Sequence, residues 1–189
     1  MSLKLTPEDV EARQIGIILA ARWCFLNFGF AKTSLDDIAK RASISRTLVY
    51  KTFKNKEEIF KAVFRHWLMA HLPEAEAAAS RAGETYERLY DVCRIVAIDP
   101  WSEMYGAPMS GEFFEACGRI DPEITALHRR TAIQCVTTIL NDPAAADVFI
   151  LALDGLLADN PTPELLIQRV HLLSRRFTQH LNVKNTGCN

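Results

Sequence analysis

The sequence has little of what would place it outside the ordinary globular proteins. Its 189 residues include only eight glycines, eight prolines and five cysteines, and its formal net charge is −1. Hydrophobic residues make up 49% of the chain and charged residues 24%, which is enough apolar side chain to bury a core. These values exclude a disordered chain, a collagen and a disulfide-stapled miniprotein.

Features of secreted and membrane proteins are missing too. The N-terminus has no charged-then-apolar signal pattern, and apolar stretches such as residues 148–153 are interrupted by Asp or Arg well before the ~20 residues that a membrane span requires. The cysteines show no C-x-x-C spacing: Cys24, Cys93, Cys117, Cys135 and Cys188. We therefore expect a cytoplasmic protein without a membrane partner.

The motifs of common enzyme and metal-binding classes are also absent. There is no G-x-S-x-G, Walker or G-x-G-x-x-G motif. His66 and His71 are five residues apart, whereas a helical metal pair needs a spacing of four, and no Cys or carboxylate cluster completes a site. We expect no enzyme, metal or cofactor. An alternative, a thiol-based redox sensor, requires Cys93 or Cys117 to be exposed beside a basic group.

The near-zero net charge conceals a division along the chain. Residues 1–65 contain twelve Lys and Arg against seven Asp and Glu, giving +5, whereas residues 66–189 contain ten against sixteen, giving −6. Nine of the basic residues lie within 32–65, where there are only four acidic ones. The pattern predicts a basic domain at 1–65, typical of nucleic-acid binding, and an acidic domain at 66–189.

Helical periodicity dominates the sequence and alternating strand patterns are absent, which predicts an all-α fold. The first helix follows Pro7 and ends at Gly29, a residue suited to the left-handed C-cap position. Its predicted inward stripe is Ile17, Ala21, Phe25 and Phe28.

A second, short helix is predicted after Thr33-Ser34. Either Thr33 with Asp36 or Ser34 with Asp37 has the spacing of an N-cap and its N3 partner. Only about two helical turns fit before residues 41–44, which leaves a turn of three or four residues to the next helix. That length is typical of a helix-turn-helix connection.

The third helix has the properties of a DNA recognition helix. It runs from Arg46 to Phe53 behind the N-cap Ser45, and Val49 and Phe53 face the core. Arg46 can donate two hydrogen bonds to guanine and Thr47 offers a hydroxyl and a methyl, so both are predicted to contact bases. The predicted residues for binding double-stranded DNA are Thr33, Ser34, Ser45, Arg46, Thr47, Leu48, Tyr50, Lys51, Thr52, Lys54 and Lys56.

A fourth helix is predicted to link the two domains. Asn55 and Glu58 have capping-box spacing, and apolar positions continue the helix to about Leu72. Beyond it, segments rich in Gly and Pro separate about five further helices.

The first 65 residues resemble the DNA-binding domain of the TetR (tetracycline-repressor-like) family of bacterial transcription regulators. The matching residues are Ile17, Ala20-Ala21, Phe25, Gly29-Phe30, Thr33-Ser34, Asp37-Ile38-Ala39, Ala42, Ile44, Ser45, Tyr50, Phe53 and Lys54–Phe60. The resemblance covers about a third of the chain. It is the order and spacing of the whole set that is specific, since a lone helix-turn-helix would be weak support.

The resemblance implies roles for individual residues. It implies phosphate contacts for Thr33 or Ser34, Tyr50 and Lys56, and base contacts for Arg46 and Thr47. The chain departs from the family at Ser43, where the family usually has Gly in the turn; a positive φ there costs a non-Gly residue about 1 kcal/mol. It also departs at Thr47 and Leu48, so an operator sequence cannot be transferred from relatives.

For the acidic C-terminal part, the resemblance implies a helical ligand-binding and dimerisation domain whose last two helices pair with their copies. Apolar stripes on 148–157 and 166–181 agree with a homodimer, although periodicity alone would also allow them to be buried within one chain. The predicted dimer interface is Phe149, Leu153, Leu156, Leu157, Leu166, Val170, Leu173 and Phe177.

A set of aromatic and Met residues around a Gly/Pro loop is the predicted effector pocket: Tyr90, Trp101, Met104, Tyr105, Met109, Phe113 and Phe114. If these residues are simply core, the protein is a regulator of the same fold without an effector. We expect a homodimeric repressor that a small molecule releases from its operator, with the linking helix transmitting the change.

Overall fold

The computed structural model describes residues Thr6–Gln179, and within this range the fold is all-α, as predicted, with one π-helical segment and no β-strand. The elements are α1 (Pro7–Phe28), α2 (Leu35–Arg41), α3 (Arg46–Thr52), α4 (Lys56–Met69), α5 (Leu72–Ser80), α6 (Thr85–Cys93), the π-helical segment Arg94–Ile98, α7 (Asp99–Met104), α8 (Ser110–Ile120), α9 (Pro122–Leu140), α10 (Pro143–Gly155) and α11 (Pro163–Thr178). No helix between Thr6 and Gln179 is long and apolar enough to cross a bilayer.

The chain forms two compact units, each built from segments that are distant in sequence. The first comprises the residues up to Trp67 together with Gly106–Thr125, and the second comprises Leu68–Tyr105 together with the residues from Ala126 onward. The division after Trp67 lies close to the predicted boundary at residue 65. Residues 106–125 differ from the expectation of two continuous domains, because α8 packs in the first unit.

Helix α1 begins and ends where side chains or glycine satisfy its free backbone groups. The Asp9 N–H donates to the Thr6 hydroxyl over 3.1 Å, and the Thr6 N–H donates to the Asp9 carboxylate over 3.0 Å. Gly29 has φ +83° and its N–H donates to the Phe25 carbonyl, which confirms the predicted end of the helix. Phe28 was predicted to face inward, but its side chain is exposed.

The helix-turn-helix is fixed by local capping. Ser34 rather than Thr33 caps α2: its N–H donates to the Asp37 carboxylate over 2.9 Å, and the Asp37 N–H donates to its hydroxyl over 3.2 Å. Ser43 has φ +56°, so this turn residue lies in the positive-φ region that costs a non-Gly residue about 1 kcal/mol. Ser45 caps α3 by accepting a hydrogen bond from the N–H of residue 48 over 3.3 Å.

Helix α4 starts as predicted but ends earlier. The Glu58 N–H donates to the Asn55 side chain over 2.8 Å. The Glu58 carboxylate accepts from the Lys54 N–H, over 2.6 Å, rather than from that of Asn55. The helix ends at Met69, and Leu72 starts α5, so the predicted linking helix to residue 72 was too long.

Aromatic side chains form the core of the first unit. The ring of Phe60, which is fully buried, lies 5.2 Å from Phe25, 5.1 Å from Phe30 and 5.1 Å from Phe113, measured between ring centroids. Phe113 belongs to α8 and also packs edge-on against Trp67. Helix α8 therefore supplies one side of the core on which α1 and α4 pack.

Polar contacts also join α8 and its flanks to the helices before Trp67. The Glu112 carboxylate accepts from the Ala31 N–H over 3.2 Å and lies so close to Gly29 that a Cβ there would be 2.6 Å from it. Arg65 pairs with Asp121 over 2.8 Å, and Asp121 is buried. Gly29 is thus required both by its positive φ and by the approach of Glu112.

The second unit has its own apolar core, in which α5, α6, the π-helical segment and α9–α11 take part. Helices α10 and α11 contribute Phe149 and Phe177, whose rings are 5.0 Å apart and perpendicular. Arg169 closes the connection between these helices by donating to both Asp159 carboxylate oxygens and to the Leu156 carbonyl.

The predicted dimer-interface residues lie mainly on the inner side of α10 and α11. Four of them are buried in the core of a single chain: Phe149, Leu153, Leu166 and Val170. Four others are partly buried against that core: Leu156, Leu157, Leu173 and Phe177. Burial within one chain, the alternative left open above, accounts for the first four residues, whereas the other four keep exposed area and stay predicted interface residues. Residue 181, at the end of the apolar stripe, lies outside the described residues.

Candidate nucleic-acid interface

Helix α3 is anchored on one side and exposed on the other. Val49 and Phe53 are buried in the first unit, whereas Arg46, Thr47 and Lys51 are exposed. This is the arrangement expected of a recognition helix, because the anchored side fixes the helix while the polar side remains available for the major groove.

The exposed end of α3 is organised around Arg46. Its Nε lies 3.0 Å from Asp36 Oδ1, and its Nη1 donates to Asp36 Oδ2 over 3.0 Å. Its Nη2 donates to the Tyr50 hydroxyl over 3.2 Å, and the guanidinium lies 5.4 Å from the centre of the Tyr50 ring. The hydrogen bond to Tyr50, followed by the charge of Asp36, raises the pKa of Arg46 above its ordinary value. A surface arginine is thus held in one orientation.

Asp36 is the residue of this network that the sequence did not single out as functional. It was considered only as a helix-capping partner for Thr33, and the structure instead gives the capping role to Asp37. An acidic residue in the first turn of α2, ten positions before Arg46, is the only signal that could have suggested the pair.

Thr33 does not have the exposure that its predicted phosphate contact requires. Its side chain is only 2% exposed, and its hydroxyl donates to the Gly29 carbonyl over 2.7 Å. The hydroxyl satisfies a carbonyl at the end of α1, so Ser34, which is exposed, is the better candidate for a phosphate contact.

Lys56 is also engaged within the protein. Its ammonium group donates to three backbone carbonyls, those of Phe30 over 2.7 Å, Ala31 over 3.1 Å and Thr33 over 2.9 Å. It also lies 4.7 Å from the centre of the Phe30 ring. Since an ammonium has three N–H donors, all of them have protein partners, and the predicted phosphate contact would require breaking one.

The remaining predicted residues divide by exposure. Ser45, Lys51 and Lys54 are exposed around α3, as a DNA contact requires. Leu48 and Thr52 are partly buried, and the Thr52 hydroxyl donates to the Leu48 carbonyl over 2.9 Å. The hydroxyl of Thr52 is thus satisfied within its own helix.

The predicted pocket residues are divided between the two units. Tyr90, Trp101, Met104 and Tyr105 belong to the second unit, and Met109, Phe113 and Phe114 belong to the first. Tyr90 stacks on His171 with 4.0 Å between ring centroids, Trp101 donates from Nε1 to the Pro161 carbonyl over 2.9 Å, and Phe113 is core. Neither unit contains the whole cluster that the sequence predicted.

The four described cysteines have the environment of inert thiols. Cys24, Cys93, Cys117 and Cys135 are all buried. Burial raises the pKa of each thiol, to about 12 for Cys93 and about 11 for Cys135. A thiol with such a pKa has very little reactive thiolate at neutral pH, which disfavours the redox-sensor alternative. Cys188 lies outside the described residues.

We expect this inertness to be measurable in a Cys188→Ser variant, in which only the described thiols remain. At pH 7.5 the folded protein should react with less than one equivalent of a disulfide reagent such as Ellman's within minutes, and the protein unfolded in guanidinium should react with about four. Because the pKa values are raised, reaction of the folded protein should accelerate only in strongly alkaline solution. One fast equivalent at pH 7.5 would favour a redox sensor.

Between Thr6 and Gln179, the anchored helix α3 and the all-helical fold are typical of helix-turn-helix proteins. The family model described as bacterial regulatory proteins, tetR family, matches residues 17–63, within the first unit. Over about a quarter of its length the chain is therefore similar to TetR-family regulators.

Individual relatives are similar to part of the chain. The probable HTH-type transcriptional regulator ArpR of Pseudomonas putida is 33% identical over 87 residues, which are 46% of this chain and 39% of that protein. The match thus spans about two fifths of the length of the curated relatives. These relatives are named as regulators of transcription.

Solved structures resemble nearly the whole chain. SmeT, the repressor of the Stenotrophomonas maltophilia multidrug efflux pump SmeDEF, is 26% identical with a TM-score of 0.65, over 92% of this chain and 91% of that one. A SmeT–triclosan complex is 24% identical with a TM-score of 0.61, over 90% and 91% of the two chains. The similarity of fold therefore extends beyond the DNA-binding segment.

Proposed function

We propose that the chain is a cytoplasmic transcription regulator that binds operator DNA as a homodimer and is released by a small-molecule effector. The observation that carries the DNA-binding part is the recognition helix, whose buried side is anchored by Val49 and Phe53 while Arg46 and its polar neighbours remain exposed. The +5 charge of residues 1–65 supports it, since a basic surface is attracted to phosphates.

Removal of Arg46 tests the DNA-binding proposal. We expect Arg46→Ala to weaken binding to the selected operator about tenfold or more and to relax the preference for one base, because a bidentate arginine contact is lost. Lys54→Ala, a matched exposed cation, should weaken binding to all sequences alike. Fluorescence anisotropy with operator and mixed-sequence duplexes separates the two effects. Full-strength, equally selective binding by both variants would contradict the proposal.

The homodimer is proposed to form through the outer sides of α10 and α11. Each helix exposes two large apolar side chains: Val148 and Leu151 on α10, which are 56% and 55% exposed, and Leu165 and Leu172 on α11, which are 39% and 59% exposed. Large apolar side chains exposed at helical spacings of three on α10 and seven on α11 favour burial against a second copy. This assignment replaces the buried residues predicted from the sequence.

Effector binding is supported by the family and by the complex of the similar SmeT with triclosan. We propose an apolar, aromatic class of effector, since the predicted lining residues that belong to the second unit are aromatic or Met: Tyr90, Trp101, Met104 and Tyr105. Isothermal titration of the protein with such compounds, with and without operator, tests the coupling: an effector must weaken operator binding by the factor by which operator weakens effector binding. Binding without any effect on operator affinity would favour the alternative, a regulator without an effector.

A further inference from the structure

The contact between Asp36 and Arg46 joins the two helices of the helix-turn-helix. Asp36 lies in the first turn of α2 and Arg46 is the first residue of α3, so the ion pair spans the turn between them. Both Asp36 carboxylate oxygens are used, at 3.0 Å from Nε and 3.0 Å from Nη1. A two-point contact of this kind fixes the plane of the guanidinium as well as its position.

The hydrogen-bond inventory of Arg46 leaves a specific pair of donors unused. A guanidinium has five N–H groups, of which one on Nη1 donates to Asp36 Oδ2 and one on Nη2 donates to the Tyr50 hydroxyl, while Nε contacts Asp36 Oδ1 only as an ion pair. Within the described residues this leaves one N–H on each terminal nitrogen, besides that on Nε, without a hydrogen-bond acceptor. Two donors on the terminal nitrogens of arginine are what guanine O6 and N7 accept in the major groove.

We propose that Asp36 is a specificity-determining residue that positions Arg46 to contact a guanine in the operator. This inference rests on the proposed DNA-binding function and adds to it the base and the positioning residue. Arg46 has many rotamers, and its ion pair orders them before DNA arrives, so less conformational entropy is lost on binding. The Asp36 charge also disfavours rotation of Arg46 toward a phosphate, because the carboxylate would then approach the phosphate or lose its partner.

The exposure of the pair separates this role from a purely structural one. The Arg46 and Asp36 side chains are 60% and 46% exposed, and such surface ion pairs contribute little to folding. An Asp36→Asn variant should therefore fold as the unchanged chain does. Its melting temperature, measured by circular dichroism, checks this. Glu57→Gln is the matched control, since it removes one exposed negative charge from the first turn of α4 in the same unit.

The experiment selects duplexes from a random pool with the unchanged protein and then measures affinity for the selected site and for single-base variants of it. We expect a guanine whose replacement weakens binding of the unchanged protein about tenfold or more. The same replacement should weaken binding of Asp36→Asn about threefold or less and of Arg46→Ala not at all. Glu57→Gln should keep the full discrimination. Tyr50→Phe, which removes only the hydroxyl acceptor, should lose part of the guanine discrimination.

Three results would overturn the inference. In the first, Asp36→Asn retains the full guanine discrimination. In the second, Asp36→Asn binds all sequences more tightly than Glu57→Gln does, with discrimination unchanged; Asp36 would then compete with DNA for Arg46. The third is a selected site without a required guanine. Failure of the unchanged protein to select any sequence would instead overturn the DNA-binding proposal, and this inference with it.

Discussion

Replacing Leu151 and Leu172 together with lysine should convert the protein from a dimer to a monomer. These side chains are 55% and 59% exposed in the single chain, so lysine can occupy both positions without disturbing the core. If they form the centre of a two-fold interface, each partner would bring two ammonium groups into an apolar contact, where unpaired charges are very costly. Light scattering should give the mass of one chain, 21.3 kDa, instead of about twice that value.

The same variant should lose most of its operator affinity. Two linked recognition helices bind successive half-sites with an avidity that exceeds single-site binding by about two to four orders of magnitude, and a monomer has none of it. The control is Gln134→Lys with Thr138→Lys, which adds the same charge at exposed positions of α9. This control should stay dimeric and bind normally. A Leu151/Leu172 variant that remained dimeric would place the interface elsewhere.

Replacing Lys56 with methionine should lower stability rather than remove a DNA contact. The Lys56 ammonium is hydrogen bonded to three carbonyls of the segment that joins α1 to α2. Methionine keeps the apolar stem but leaves those carbonyls without this donor. Charge-assisted hydrogen bonds of this type contribute about 2 kcal/mol to the free energy of unfolding, so the melting temperature should fall by about 5 °C.

Lys54 provides the matched comparison, because its ammonium is exposed two positions earlier. Lys54→Met should melt as the unchanged protein does, and its DNA binding should depend less steeply on salt, by about one unit of the logarithmic slope. At a temperature where both variants are folded, Lys56→Met should keep the original salt dependence. The opposite result for Lys56→Met, an unchanged melting temperature and a reduced slope of the salt dependence, would show that Lys56 contacts a phosphate.

What could be predicted from the sequence was mostly local. The N-cap at Ser45 and the stop at Gly29 each depend on residues within one or two helical turns, so short-range chemistry determines them. The inward side of the recognition helix followed from the four-residue spacing of Val49 and Phe53, which is again a local property.

The predictions that failed depended on contacts between distant segments. Periodicity showed that Phe149 and Val170 lie on apolar stripes, but only the packing of α10 against α11 determines that they are covered within one chain. Likewise, Thr33 and Lys56 have the composition of phosphate-binding residues. Their side-chain donors are occupied by carbonyls at the end of α1 and just after it, which no spacing rule indicates.

The aromatic core of the first unit, to which α1, α4 and α8 all contribute, limits where the chain can be cut and joined to another protein. Because Phe113 packs on Phe60, the DNA-contacting segment would carry an open hydrophobic cavity if a gene fusion cut it off after Trp67. A chimera with another regulator would have to include residues 106–125, or a segment of matching shape, to fill that space. An exchange of residues 1–67 for the matching segment of another protein would therefore require side chains that fit Phe113.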